Sequence, residues 1–183
     1  GSLTVSAAVV ASPGRLSARN SSENFNQFRP GAGASYLYGW AQALWTRRLP
    51  SAWTLRARGQ FQGATGALLP TEQFGIGGHA SVRGFGEREY LADHGYLLSA
   101  EIRAPAMRLP FGGEIQFLGF LDHGGGARDG LSQGGSRDRE VLSSVGAGLR
   151  LRLSEYLKLR ADLGAPLAGG QGSRAHVGFT GSF

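Results

Sequence analysis

The sequence predicts an all-β fold, a transmembrane antiparallel up-and-down β-barrel with eight strands in 183 residues. Three observations predict it. Apolar and polar residues alternate with a period of two in nearly every regular segment, as strands with one apolar face do. Connections alternate between short and long, matching tight turns on one side of an outer membrane and loops on the other. The polar face is rich in arginine and glycine, which suits a wet lumen.

Composition narrows the function classes. No run approaches the roughly 18 apolar residues of a membrane helix, and the absence of cysteine excludes disulfides and thiolate metal sites. The 31 glycines follow no collagen period, so they serve turns and strands. A net charge of +6 raises the question of nucleic acid. The arginines, however, recur singly at alternate positions, as in "LRARGQ" and "LRLRL", which puts them on one face of a strand. No nucleic-acid partner is expected.

Taken in order, strands are expected over Leu3–Ser12, Gly33–Leu49 and Ala52–Gly63, then 95–104, Gly113–Asp122, 140–153, 156–163 and 174–183. In 95–104, Tyr96, Leu98, Ala100 and Ile102 oppose Ser99, Glu101 and Arg103. In 156–163, Leu157, Leu159, Ala161 and Leu163 oppose Lys158, Arg160 and Asp162. The short connections are 49–52, 105–112 and 153–156, and the long ones are 13–32, 64–94, 123–139 and 166–173. No convincing amphipathic helix is found. The reading treats 1–183 as one barrel domain with a long folded-in loop at 64–94.

A soluble sandwich also alternates, but it hides its apolar face and exposes its polar one. Aromatics near strand ends favour the membrane: Tyr36, Tyr38 and Trp40 on one strand, Trp45 and Trp53 around a short turn, where interfacial girdles lie. Eight strands make either the smallest closed barrel, half of a sixteen-stranded one, or one of two copies in a dimeric pore.

The stretch "GGHASVRGFGERE" (77–89) sets a lone arginine, Arg83, between Val82 and Gly84 in a glycine-punctuated loop. The wider segment "LPTEQFGIGGHASVRGFGEREYLADHGYLLSAEIRAP" (69–105) resembles the signature of two-partner-secretion transporters, the hemolysin secretion/activation family, within the superfamily that includes BamA. The matching features are the "EQF" lead-in, the paired glycines Gly77 and Gly78, "SVRGF" with Val82, Gly84 and Phe85, and "DHGY" opening a strand. A second motif stands as "FLDHG" (120–124), with Phe120, Asp122 and Gly124.

The resemblance implies a sixteen-stranded barrel whose sixth extracellular loop folds into the lumen, where its arginine meets an acidic residue on the inner wall. Carried over, Arg83 is the loop tip and Asp122 its partner, a latch. The strand pattern independently puts Asp122 on the polar face with Glu114 and Gln116, opposite Ile115, Phe117, Gly119 and Leu121. Three strands precede the loop and five follow it, so the chain looks like strands nine to sixteen, without the N-terminal half, plug helix or POTRA domains of the family. The last strand fits the outer-membrane assembly signal at His176, Gly178, Phe179 and Phe183, although Gly181 stands where a hydrophobic residue is usual.

The resemblance thus implies an outer-membrane transporter barrel passing an unfolded exoprotein. Its partners would be membrane lipid, a secreted protein substrate and the barrel-assembly machinery, with a homodimer as one way to close the pore. The alternative is a stand-alone small barrel whose loops 13–32 and 123–139 bind something outside. No enzyme is expected, since no "GxxxxGK[ST]" run occurs and the sequence names no serine placed for a Ser–His–Asp set. No cofactor is expected, and His79, His94, His123 and His176 have no metal-ligand spacing. Glu87, Arg88 and Glu89 read as a solvated charge run, and Asp93 as a turn cap.

Overall fold

The computed structural model describes residues 1–110, 112–130, 138–170 and 172–181. Eight long strands follow one another in an antiparallel sheet: β1 (Ser2–Pro13), β2 (Ser35–Arg48), β3 (Thr54–Ala64), β6 (His94–Arg103), β8 (Glu114–Arg128), β9 (Asp138–Arg152), β10 (Leu157–Ala168) and β11 (Arg174–Gly181). Each pairs with the next in sequence, the meander expected of an up-and-down sheet. The sheet is open. Among the described residues β1 and β11 are edges and do not pair with each other.

Register aligns the alternation from strand to strand. Ala41 stands opposite Phe61, Phe61 opposite Tyr96, Ala100 opposite Leu121, Leu121 opposite Val145, and Ala161 opposite Val177. The result is one continuous apolar face with no protein over it: Val9, Val177 and Phe179 are 74%, 79% and 80% exposed. A water-soluble fold buries such a face. The opposite, polar face carries the loops.

Several expected elements change when the chain is folded. The 13–32 connection contains a short helix, α1 (Ser22–Phe28), capped by the Ser21 hydroxyl, which accepts from the Asn24 N–H at 3.3 Å. Seven residues are too few to produce a readable helical period. The 64–94 loop holds its own hairpin, β4 (Phe74–Ile76) paired with β5 (Tyr90–Ala92). A two-residue strand, β7 (Met107–Arg108), lines up with the start of β8 inside the expected 105–112 turn.

β8 runs past its expected end at Asp122 through "HGGGAR" to Arg128. The glycines carry no alternation to read, yet they are needed here: a Cβ on Gly124 would stand 3.1 Å from Ile76 and Val82 of the loop. β10 likewise continues through Pro166, where the pairing with β9 shifts register. Residues 131–137 of the expected 123–139 loop, and Phe183 of the assembly signal, lie outside the described residues.

The girdle assignment is half corrected. Trp45 is paired with Leu3 and Ala57 on the apolar face, and Trp53 has the same parity. Tyr36, Tyr38 and Trp40 alternate onto the other face, where the Tyr38 hydroxyl donates to Glu72 of the loop at 2.6 Å. Positions i, i+2 and i+4 of a strand share a face, so Tyr36 and Trp40 lie with Tyr38 on the polar face and not on the apolar one.

Candidate functional site

The 64–94 loop folds down onto the polar face and builds a small core there. Ile76, Val82, Phe85, Tyr90 and Ala92 of the loop pack with Leu97 of β6 and Leu142 of β9, and Phe74 joins from the side. Burying these side chains anchors a segment that would otherwise lose ordering free energy. The core sits where a wet lumen was expected. The hairpin β4–β5 supplies the loop with its own backbone partners, so the chain between its strands can turn sharply.

That turn carries Arg83 to the wall. Gly77 and Gly78 enter it with φ of +102° and +100°, a region only glycine enters without strain. Gly84, at φ +93°, presses its backbone against Gly164 of β10, so closely that a Cβ on Gly84 would lie 2.9 Å from the Gly164 carbonyl. Two glycines facing each other let the loop tip touch the sheet backbone. The Gly84 N–H also donates to Nε2 of His176 on β11 at 3.2 Å.

Arg83 is almost wholly buried, and all three nitrogens of its guanidinium donate hydrogen bonds. Nε donates to Oδ2 of Asp122 at 2.7 Å and Nη2 to Oδ1 at 2.9 Å, a bidentate fork. The Arg83 backbone N–H adds a bond to Oδ2 at 3.2 Å. Nη1 donates to Glu101 at 2.7 Å and stands 3.5 Å from Asp162. The plane stacks over the Phe120 ring, 3.5 Å from its centroid, as cation–π geometry favours. Asp122 itself is fully buried and also accepts from the Ser99 hydroxyl at 2.6 Å.

Both sequence motifs therefore meet at one point. Val82 and Phe85 flank Arg83 in the loop core, and Phe120 and Gly124 bracket Asp122 on the wall. Gly178 and Phe179 stand apart on β11: Gly178 faces the Arg160 side chain, and Phe179 is on the apolar face. Alternation alone could have named Glu101, Ser99 and Asp162 as wall partners, because all three share the polar face of their strands. Only the fold brings Gly164 and His176 to the loop tip.

The structure corrects two minor readings. Asp93 is no simple turn cap but the centre of a second buried cluster. Its two oxygens take a bidentate fork from Arg29 at 2.6 Å each, and it also accepts from the N–H groups of Leu68 and Asp129 at 2.8 Å each and from Gln73 at 3.2 Å. Arg29 further donates to the carbonyls of Leu68 and Asp129. Burial alone pushes the Asp93 carboxyl up, but Arg29 and the two backbone donors outweigh it and hold the group below its ordinary 3.8. This cluster ties the 13–32 loop, the 64–94 loop and the end of β8 together.

The Glu87–Arg88–Glu89 run is also more than solvated charge. Glu87 accepts from the His79 N–H at 2.8 Å and contacts its ring at 2.7 Å, Glu89 accepts from Gly86, and Arg88 donates to the carbonyls of Pro70 and Gln73. These charges brace the turn from within. His123 lies on the apolar face, between the Tyr96 hydroxyl at 3.0 Å and the Ser143 hydroxyl at 2.7 Å.

The model of the family described as "Haemolysin secretion/activation protein ShlB/FhaC/HecB" matches residues 1–151, most of the chain. The chain belongs to this family. No curated protein matches it. The match takes in both motif segments, the loop with Arg83 and the wall with Asp122, and leaves β10 and β11 outside it. Family members are secretion/activation transporters and not enzymes.

Proposed function

We propose that the chain forms part of an outer-membrane barrel that passes an unfolded exoprotein, with the 64–94 loop as its gate and Arg83–Asp122 as the latch. The observation that carries this reading is the inverted burial: the apolar face of the sheet is bare, while ionised groups and a folded loop occupy the polar face. Lipid fits the first face and a closable aqueous passage fits the second. Membership of the secretion/activation family agrees with it. An open sheet edge in lipid would leave backbone groups unsatisfied, so the working pore closes through further strands, from the rest of a barrel or from a second copy.

A stand-alone eight-stranded barrel is disfavoured by the loop. A barrel that small is just filled by its own side chains, whereas here a seven-residue cluster with loop and wall members already occupies the interior face. The test is conductance in a planar bilayer. The wild-type chain is expected to pass little current, and Arg83→Ala to raise it severalfold by freeing the loop. Unchanged conductance in that variant would sink the gate. A chain that never conducts would sink the pore itself.

A further inference from the structure

Between the latch and the turn side of the sheet, the polar wall becomes strongly basic. Two adjoining cavities of about 340 and 410 Å³ share Arg103, Arg150 and Arg160 in their linings; Arg56, Arg58, Arg152 and Lys158 add further charge, and Glu101 and Glu114 lie among them. Some of this charge is spent on neighbours: Arg103 pairs with Glu101 at 2.6 Å, Arg150 with Asp162 at 2.8 Å and Arg152 with Glu114 at 2.6 Å, while Arg56 stands 3.9 Å from Glu101. Arg58, Lys158 and Arg160 form no ion pair among the described residues; Arg58 donates to the Ala80 carbonyl of the loop and interacts with Asp122 and Glu101 at longer range. Cations crowded on one wall in excess of their counter-ions raise the local concentration of an anionic chain.

We propose that this corridor is a binding site for an acidic, extended polypeptide segment, positioned directly beneath the closed loop. The proposal deepens the transporter reading and rests on it. Two features select the occupant. Cations stand at alternate positions, Arg56 with Arg58 and Lys158 with Arg160, which on a strand repeat about every 7 Å. An extended peptide with alternate carboxylates repeats at the same interval, so successive charges meet successive guanidinium or ammonium groups. No Phe, Tyr or Trp among the described residues lines either cavity, and single-stranded nucleic acid would need such platforms for its bases. From Glu114 to Asp122 the wall runs eight residues along β8, about 27 Å, so it accommodates about eight residues of extended chain.

The upper cavity ends at His79, Ala80, Ser81 and Arg83. An occupant therefore touches the loop from below, and its carboxylates compete with Asp122 and Glu101 for Arg83. Glu101 keeps Arg103 and Asp162 keeps Arg150 if Arg83 leaves, so neither of those two carboxylates is stranded by the exchange.

The experiment uses the full chain in detergent and a labelled peptide of alternating glutamate and serine, followed by fluorescence anisotropy. A lysine–serine peptide and inorganic polyphosphate serve as comparators. The acidic peptide is expected to bind and the lysine peptide not to, with affinity falling about tenfold as salt screens the site. Lys158→Glu with Arg160→Glu is expected to weaken binding at least tenfold, and the glutamine pair to weaken it less, both without altering protease resistance of the 64–94 loop. Equal binding of the lysine peptide, or charge reversal without effect, overturns the site. Tighter binding of polyphosphate than of the peptide overturns the choice of occupant. Peptide binding that persists when Arg83→Ala leaves conductance unchanged would sink the gate and spare the corridor; lost binding with a working gate does the reverse.

Discussion

At the scale of single residues, the chain concentrates its buried charge in two clusters with different jobs. Arg83 at the loop tip meets three carboxylates and an aromatic ring, and Asp93 at the loop base meets one guanidinium and two backbone amides. Removing one member of a buried pair strands the other at roughly 3–5 kcal/mol. Arg83→Ala and Asp122→Ala are each expected to expose the 64–94 loop to trypsin, and the double variant to be little worse than either. Fully additive losses would sink the pairing. Arg83→Lys is expected to fail as well, because an ammonium cannot make the fork to Asp122. The base cluster should respond to acid. The folded carboxyl of Asp93 titrates below its ordinary 3.8, so its contribution is present above that value and is lost as pH falls through the depressed one. Protection of the Leu68 and Asp129 amides against hydrogen exchange, relative to their intrinsic rates, should therefore fall in acid, and Asp93→Asn should remove that dependence; an unchanged profile would argue against the cluster.

At the scale of elements, the loop and the wall fit because each has glycine where they touch. The contact of Gly84 with Gly164 is backbone on backbone, and a Cβ on Gly164 would lie 2.6 Å from the Gly84 nitrogen. Gly164→Ala is expected to lift the loop tip and expose Arg83 without touching any charged group, and proteolysis of the loop should then approach that of Arg83→Ala. Wild-type resistance in Gly164→Ala would mean the tip does not need this contact. The eight long strands were legible from alternation. Their ends were less so, because "HGGGAR" and "GAPLA" break the pattern at glycine and proline while the ladder continues. The helix α1 and the β4–β5 hairpin escaped notice since segments of seven and three residues carry too little periodicity.

At the scale of the whole molecule, the edges of β1 and β11, unpaired among the described residues, govern what the isolated chain must do. Light scattering that separates protein from micelle is expected to find two chains per particle, since a second copy can pair both edges and leave room for the folded-in loop. A heat-resistant monomer would mean the eight strands close alone, and the loop would then fill the barrel permanently. The charge distribution has the same global character. Arginines that look scattered along the sequence become one basic wall when β3, β6, β9 and β10 are laid side by side.

The sequence by itself determined the strand class, the number of long strands and the faces they present, because a period of two is a local property of the chain. Resemblance of its two motifs to those of the transporter family named Arg83 and Asp122 as partners. Tertiary structure decided the rest: that Glu101, Asp162 and Phe120 surround the same guanidinium, that Arg29 reaches Asp93 across 64 residues of chain, and that Tyr38 meets Glu72 of the loop. Those contacts join segments distant in sequence, and which partner each group meets is fixed by register and by the descent of the loop, neither of which is encoded within any one segment.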